Sequence, residues 1–94
     1  MNEAARAIAL LKEQNLTLAT AESCTGGLLG KLLTDVAGSS AVYLGGVISY
    51  AYAVKEALLG VDAALLAKKG AVCAEVARQM ACGVRERLHA DVSL

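Results

Sequence analysis

The residues best suited to chemistry are crowded into positions 22–27, which read ESCTGG. This segment holds a carboxylate, two hydroxyls and a thiol, followed by two glycines. It comes directly after a short run of residues, LTLATA, in which residue types alternate as they do in a strand. In α/β folds, ligands bind beyond the carboxyl end of a strand, near the start of the next helix. Ser23 and Cys24 are therefore candidate nucleophiles, and backbone amides of the turn could hold a phosphate or a developing oxyanion.

A nucleophile of either kind needs a base, and the single histidine is badly placed to supply one. His89 lies at the far end of a helical pattern with a water-facing side, which disfavours a pair with Cys24. A lysine can act as a base when burial lowers its pKa enough to leave the amine neutral. Lys55 follows the second strand-like segment and has apolar neighbours, so it is the candidate base for Ser23.

Each of these residues also has an ordinary structural explanation. Serine and threonine commonly cap helices, which stabilises a helix by about 1 kcal/mol. On local sequence alone, capping by Ser23 and Thr25 is the stronger interpretation. Lys55, taken alone, is more simply a surface residue that pairs with Glu56 or extends its ammonium group into water.

Helical and strand-like segments alternate along the chain. The patterns predict helices over residues 3–14, 52–59, 62–69 and 74–89, and a largely buried helix that begins near Thr25 or Gly26. They predict strands over 16–21, over 47–51 and from Asp91 onward. Residues 35–40 are predicted to form a loop. Gly60 and Gly70 stand where glycine commonly ends a helix. This order predicts an α/β fold with three α/β/α layers around a small, at least partly parallel sheet.

Length and charge restrict the possible functions. The chain has 94 residues, enough for a single domain over 1–94, and its nine basic and nine acidic residues cancel. It has no basic cluster, no long apolar run and no signal-peptide pattern, so we expect a cytoplasmic protein without nucleic-acid or membrane partners. A domain this small would gain from self-association, so we expect a homo-oligomer. Cys24, Cys73 and Cys82 lack metal-binding spacing and are expected to be reduced thiols.

Several segments, taken in order, resemble the C-terminal domain of the CinA proteins, the nicotinamide-nucleotide amidohydrolases. They are AESCTGG, GSSAVYLGG, a tyrosine five residues before a lysine, LLGV and GAV, and the likeness covers nearly all of residues 16–94. The resemblance implies hydrolysis of the carboxamide of nicotinamide mononucleotide to nicotinate mononucleotide and ammonia, without a metal or other cofactor. The implied partner is a small-molecule nucleotide substrate.

The resemblance also implies roles for individual residues. Ser23 would be the nucleophile and Lys55 its base, and Tyr50 would polarise or orient this pair. The other residues of the turn would bind substrate or offer backbone amides to the oxyanion: Glu22, which would also orient the turn, Cys24, Thr25, Gly26 and Gly27.

The chain departs from the family pattern in three places. Cys73 stands where the family usually has a serine, at the start of the long helix, and cysteine is a poor cap. Residues 51–54 are less polar than the family's, so substrate contacts could be lost there. The family domain continues past Leu94, so we expect 1–94 to be its N-terminal portion, to lack the C-terminal part of the sheet, and to have weak or absent activity alone. The alternative to an enzyme is a catalytically silent domain that binds a nucleotide through the turn amides or pairs with a second copy.

Overall fold

Five helices and three strands alternate in the computed structural model, which describes residues 2–94. The helices are α1 (Glu3–Gln14), α2 (Leu28–Thr34), α3 (Tyr52–Leu59), α4 (Ala63–Lys69) and α5 (Ala74–Leu88). The strands are β1 (Leu18–Glu22), β2 (Tyr43–Ile48) and β3 (Val92–Ser93), and a short 3₁₀ turn at Ser39–Ala41 precedes β2. Within this range, no helix is both long enough and apolar enough to cross a bilayer.

β1 is the central strand of a parallel sheet with the order β2-β1-β3. Leu18 pairs with Tyr43 and Ala19 pairs with Gly45, so Leu44 is an extra residue that makes a bulge in β2. Gly45 has a φ of 139°, a conformation that residues with a side chain rarely adopt. Because the strands are parallel, the carboxyl ends of β1 and β2 lie at the same edge of the sheet.

Consecutive residues of β1 point to opposite faces of the sheet and enter two separate hydrophobic cores. Leu18 packs with Ile8 of α1 and Leu33 of α2. Ala19 belongs to the second core, which includes Val76 of α5 and buried residues of α3 and α4. Helices therefore cover both faces of the sheet, and the predicted three-layer α/β/α arrangement is confirmed.

The three helices that follow β2 lie close to their predicted positions. α3 and α4 end at Gly60 and Gly70, which have φ values of 67° and 76°, so glycine supplies the backbone conformation that each helix end needs. Cys73 occupies the N-cap position of α5 and makes no side-chain capping hydrogen bond there. This agrees with the expectation that a cysteine is a poor cap.

The second strand was predicted too late in the chain. β2 covers Tyr43–Ile48, whereas the sequence pattern predicts a strand over 47–51. The glycines at 45 and 46 suggest a loop by composition, but both pair with β1 through their backbone. The residues after β2 lead into α3 instead of continuing the strand.

α2 also differs from its prediction, in both its start and its burial. It begins at Leu28 and not at Thr25 or Gly26, because both glycines of the preceding turn have positive φ and cannot belong to a right-handed helix. Leu33 is its buried residue, whereas Leu28 is 55% exposed and Leu32 is 49% exposed. The prediction of a largely buried helix is therefore wrong.

Candidate active site

The ends of β1 and β2 meet beside Ser23. Glu22, the last residue of β1, pairs with Ile48, the last residue of β2. The pairing extends one residue further, because the Ser49 N–H donates to the Glu22 carbonyl oxygen over 2.7 Å. This bond holds the bend at Ser23 next to the segment that leads into α3.

Lys55 reaches this point from the first turn of α3. Helical side chains point toward the N-terminus of their helix, so the Lys55 amine projects back toward the end of β2. Its Nζ atom lies 2.9 Å from Ser23 Oγ and 3.1 Å from the Tyr50 carbonyl oxygen, and it also contacts the Ser49 carbonyl oxygen. Lys55 is only 1% exposed. The structure thus brings together the two side chains that were expected to be nucleophile and base.

Burial lowers the pKa of the Lys55 amine below the ordinary lysine value of 10.5. The Cys24 thiol acts in the opposite direction, since a negative charge on it would favour the ammonium form, but burial is the larger cause. Among residues 2–94, Lys55 forms no salt bridge with a carboxylate, and its hydrogen-bond partners are all uncharged oxygen atoms. The environment therefore favours the neutral amine more than water does.

The turn after β1 depends on two glycines. Gly26 has a φ of 61° and Gly27 a φ of 107°, and glycine adopts such angles without steric cost. The Gly26 N–H donates to the Ser23 carbonyl oxygen over 3.1 Å, which closes the turn. Within the described part of the chain, the N–H groups of Cys24 and Thr25 donate no hydrogen bond. These two amides remain available to a ligand.

The Glu22 carboxylate ties this turn to the start of α2. Its Oε1 atom accepts hydrogen bonds from the Thr25 hydroxyl at 2.8 Å, the Leu29 N–H at 2.8 Å and the Gly27 N–H at 3.1 Å. Its Oε2 atom accepts from the Gly30 N–H at 3.0 Å. A side chain from the end of a strand therefore satisfies three backbone donors at the beginning of the next helix.

These contacts overturn three expectations about the turn. Capping by Ser23 or Thr25 is wrong, because Gly27 is at the N-cap position of α2 and the Glu22 carboxylate takes the amides. The amides of Gly26 and Gly27 already have partners, so they are not free to bind an oxyanion. The start of α2 is likewise filled by an internal carboxylate, so a nucleotide phosphate has no vacant amides there.

Glu22 carries its negative charge in this setting. Burial alone would raise the pKa of the Glu22 carboxyl, but the hydrogen bonds from Gly30, Leu29, Thr25 and Gly27 outweigh that effect, so the pKa lies below the ordinary value of 4.5. Glu22 is 5% exposed. It is therefore a buried, ionised group whose donors are supplied by the turn and by α2.

Tyr50 contacts the site through its backbone. Its side chain is 80% exposed, and no hydrogen bond joins its hydroxyl to another group within residues 2–94. The expectation that the Tyr50 side chain polarises or orients the pair is therefore wrong, and its carbonyl group is what touches Lys55. The neighbouring Ser49 was not among the predicted site residues. The feature of the sequence that could have pointed to Ser49 is that it is a polar residue directly after an apolar strand segment.

An open cavity of about 590 Å³ lies beside Ser23. Its walls are the turn at 21–25, the loop at 71–73 and one face of α5, with Leu29 and Leu94 completing them. Cys24 is exposed and lines this cavity together with Cys73, and both are free thiols. The residues of α5 and of the 71–73 loop were not predicted to belong to the site, because they are small or apolar and carry no chemical signal.

His89 lies far from this cavity. It is the exposed C-cap residue of α5, with a φ of 55°, whereas the cavity contacts the N-terminal half of the same helix through Ala74, Ala77 and Met80. His89 follows Ala77 by twelve positions along the chain, which places the two about 18 Å apart along the helix axis. His89 therefore cannot serve as a base at Cys24 or Ser23.

The chain matches known proteins along nearly its whole length. The family model described as the CinA C-terminal domain matches residues 2–94. A CinA-like protein of Geobacter sulfurreducens is 59% identical over 85 residues, which are 90% of this chain and 21% of that protein. A CinA-like protein of Synechococcus is 59% identical over 88 residues, which are 94% of this chain and 21% of that protein.

Solved structures of similar proteins also superpose on nearly the whole chain. A crystal structure of a CinA superfamily protein from Escherichia coli superposes with a TM-score of 0.93 at 36% identity, over 96% of this chain and 52% of that one. A competence/damage inducible protein from Agrobacterium tumefaciens superposes with a TM-score of 0.91 at 42% identity, over 97% of this chain and 56% of that one. The chain thus spans about a fifth of the length of its curated relatives and little more than half of these solved chains. The match over residues 2–94 shows that this chain belongs to the CinA C-terminal domain family.

Proposed function

We propose that this domain is an amidohydrolase in which Ser23 attacks the carboxamide carbon of nicotinamide mononucleotide and Lys55 accepts the serine proton, so that no metal is needed to activate the nucleophile. The observation that carries the proposal is the 2.9 Å separation between Lys55 Nζ and Ser23 Oγ, at a lysine that is 1% exposed. Lysine is a useful base only when its amine is neutral, and burial favours that form.

The contacts of Lys55 suit a base that receives a proton from Ser23. A neutral amine has two N–H bonds and one lone pair. The carbonyl oxygens of Ser49 and Tyr50 only accept hydrogen bonds, so they can take both N–H bonds. The lone pair is then left for the third contact, the Ser23 hydroxyl, which is the orientation that a general base needs.

The reaction has two halves, acylation of Ser23 and hydrolysis of the acyl-serine, and each half includes two proton transfers. Ser23 Oγ attacks the carbonyl carbon while its proton passes to Lys55 Nζ, and the free N–H groups of Cys24 and Thr25 are the candidate donors to the oxyanion. Lys55 returns the proton to the leaving nitrogen, the C–N bond breaks and ammonia departs. Water attacks the acyl group on Ser23, gives its proton to Lys55, and the serine hydroxyl is restored as the carboxylic acid leaves.

The substrate is supported by the motif resemblance of residues 16–94 and by the size of the cavity. Ligand pockets of small molecules commonly have volumes of roughly 300 to 1,000 Å³. The cavity beside Ser23, at about 590 Å³, falls in this range. The pyridine ring with its carboxamide is the part of the nucleotide that must lie next to Ser23 for attack.

The test is a direct assay with a matched serine control. The chain is incubated with nicotinamide mononucleotide at high protein concentration, and ammonia and nicotinate mononucleotide are measured. Ser23→Ala should abolish release of both products. Ser40→Ala, which changes an exposed serine in the 3₁₀ turn, should leave the rate unchanged.

Two outcomes would go against the proposal. Ammonia release that persists in Ser23→Ala would remove the serine from the mechanism. Binding of the nucleotide without any product, in the unaltered chain, would instead favour the catalytically silent nucleotide-binding domain.

A further inference from the structure

Two of the three cysteines lie in the wall of the cavity beside Ser23. Cys24 follows Ser23 directly and is exposed, and Cys73 precedes the first turn of α5 and is partly buried. Both are free thiols, and both line the same cavity of about 590 Å³. Cys82, the third free cysteine, is exposed on α5 and does not line this cavity. The chain therefore has two thiols inside the candidate site and one outside it.

The fold makes little use of either cavity thiol. Cys73 is at the N-cap position of α5, where a serine or an aspartate would accept a hydrogen bond from an amide, and it makes no such bond. Its Sγ atom lies 3.9 Å from the Gly70 carbonyl oxygen, which is a weak contact. Cys73 also packs against the core that contains Val76, so it is the less accessible of the two thiols. The exposed side chain of Cys24 can carry a substituent on its sulfur without displacing buried groups.

A substituent on a cavity thiol would compete with the substrate for space. The proposed reaction needs the carboxamide carbon next to Ser23 Oγ, and a displacement of about 1 Å from the reactive position can cost about 10²-fold in rate. Cys24 is the residue after the nucleophile and Cys73 lies on the facing loop, so a group attached to either sulfur occupies part of the same cavity. Modification of these thiols is therefore expected to stop hydrolysis.

We propose that Cys24 and Cys73 make this cavity a site of thiol modification: a small disulfide exchanges with a cavity thiol, and the transferred half blocks Ser23 until a reductant removes it. The inference rests on the proposed function for its effect on activity, and it adds regulation to that same site. The modifying ligand is a small dialkyl disulfide. Cys24 is expected to react before Cys73 because it is the more exposed thiol.

The exchange needs no further reactant. The Cys24 thiol loses its proton to water, and its sulfur attacks one sulfur of the disulfide. A new sulfur–sulfur bond forms, the original one breaks, and the other half of the reagent leaves as a thiolate that takes up a proton. The cysteine is oxidised and half of the reagent is reduced. Excess dithiothreitol reverses the exchange by the same kind of step.

Treatment with 2-hydroxyethyl disulfide tests the proposal, because the group that it transfers is small and uncharged. Peptide mass spectrometry locates the added groups, and ammonia release from nicotinamide mononucleotide gives the rate. We expect adducts on Cys24 first and on Cys73 later, a loss of rate of at least about tenfold, and recovery with dithiothreitol. Cavity thiols that stay unmodified while Cys82 reacts would overturn the proposal.

Two variants assign the effect to the cavity. Cys82→Ala removes the thiol outside the cavity, so treatment should still lower its rate at least about tenfold. Cys24→Ala combined with Cys73→Ala leaves Cys82 as the only thiol, and the treated protein should keep most of the rate of the untreated protein. The quantity compared is the ratio of treated to untreated rate within each variant, so it does not depend on what the substitution itself does to activity.

Protection by the nucleotide tests the site without relying on turnover. A ligand next to Ser23 occupies the cavity that Cys24 and Cys73 line. Nicotinamide mononucleotide at several times its Kd should therefore slow adduct formation at these two thiols by about fivefold. The rate of adduct formation at Cys82 should stay unchanged.

The outcomes separate this inference from the mechanism beneath it. Adducts on Cys24 and Cys73 that leave hydrolysis unchanged would overturn the inference and leave the amidohydrolase proposal standing. Inactivation of the double variant would also overturn it, because the effect would then come from outside the cavity. Inactivation with Cys24 joined to Cys73 and no added group would replace the blocking group with a bond across the cavity. An untreated chain that releases no ammonia, but whose cavity thiols react and are protected by the nucleotide, would remove the amidohydrolase and keep the modification site.

Discussion

Glu22 and Lys55 are both buried beside Ser23, at 5% and 1% exposure, but their surroundings differ. The Glu22 carboxylate accepts three hydrogen bonds from backbone N–H groups and one from a hydroxyl. The Lys55 amine meets two backbone carbonyls and one hydroxyl. The pKa of each group is lowered, which keeps the acid charged and moves the amine toward its neutral form.

The comparison shows how one edge of a sheet can hold a permanent charge and a proton acceptor side by side. The glycine turn and the start of α2 present N–H groups, so they stabilise an anion. The segment after β2 presents carbonyl oxygens to the buried amine, and no carboxylate of residues 2–94 pairs with it. We infer that Glu22 holds the backbone that carries Ser23, while Lys55 is the group that exchanges a proton.

The largest effect is expected at the lysine. Lys55→Met keeps the length of the side chain and removes the base, so ammonia release should fall about 10³-fold, within the range of roughly 10² to 10⁴ that a positioned base supplies. Lys31→Met is the matched control, because Lys31 pairs with Asp35 on the surface and its side chain is 70% exposed. More than a tenth of the activity remaining in Lys55→Met, with the fold retained by circular dichroism, would contradict the assignment.

The next largest effect is expected at Glu22, in stability and its pH dependence. Glu22→Gln turns an acceptor into an N–H donor that faces the backbone N–H groups of α2, which should cost about 1–3 kcal/mol at neutral pH. Since the folded pKa of Glu22 lies below 4.5, its stabilisation is present above pH 4.5 and is lost as the pH falls through the lowered value. The difference between the two proteins should therefore shrink in acid.

Urea unfolding at a series of pH values measures this difference. Glu56→Gln, at an exposed position of α3, is the control and should not alter stability by more than about 0.5 kcal/mol. A Glu22→Gln protein as stable as the unaltered chain at pH 7 would mean that the four hydrogen bonds contribute nothing net.

A smaller effect is expected from the hydroxyl that Glu22 accepts. Thr25→Val removes the 2.8 Å hydrogen bond to Glu22 Oε1 and should cost about 1 kcal/mol, while Thr25→Ser keeps the donor and should cost less. Thermal unfolding of the two variants provides the measurement. A Thr25→Val protein as stable as the unaltered chain would contradict a contribution from this hydrogen bond.

The smallest effect is expected at Tyr50. Its side chain is 80% exposed and its contact with Lys55 is made by the backbone carbonyl, so Tyr50→Phe should change kcat/KM by less than about twofold. A tenfold loss in steady-state kinetics would restore a role for the phenol hydroxyl.

The sequence predicts the parts of this site that follow from position along the chain. Ser23 was paired with Lys55 because each follows a predicted strand and because the histidine was discounted, and the structure places the two side chains together where the parallel strands β1 and β2 end. The glycines at 60 and 70 marked helix ends correctly, since glycine readily adopts positive φ.

Features that depend on longer-range contacts were not predictable. Local residue preference favoured capping of α2 by Ser23 or Thr25. The N–H groups at the start of α2 instead donate to the Glu22 carboxylate, which comes from the preceding strand. No local sequence pattern shows which side chain will accept these hydrogen bonds. Gly45 and Gly46 were assigned outside a strand because propensity ignores the pairing partner that β1 provides. Tyr50 was assigned a side-chain role because a sequence motif does not show whether the side chain or the backbone carbonyl of a residue makes the contact.

The measurement that tests the central claim most directly is the titration of Lys55 itself. The protein is labelled with ¹³C at lysine Cε and followed by NMR over pH, and the Lys55 signal is identified by its absence in Lys55→Met. We predict that this signal titrates below the ordinary value of 10.5, and that the rate of Ser23-dependent hydrolysis rises with pH through the same midpoint. A Lys55 signal that titrates at or above 10.5 would contradict the account, because the amine would then be an ammonium ion at neutral pH and could not accept the serine proton.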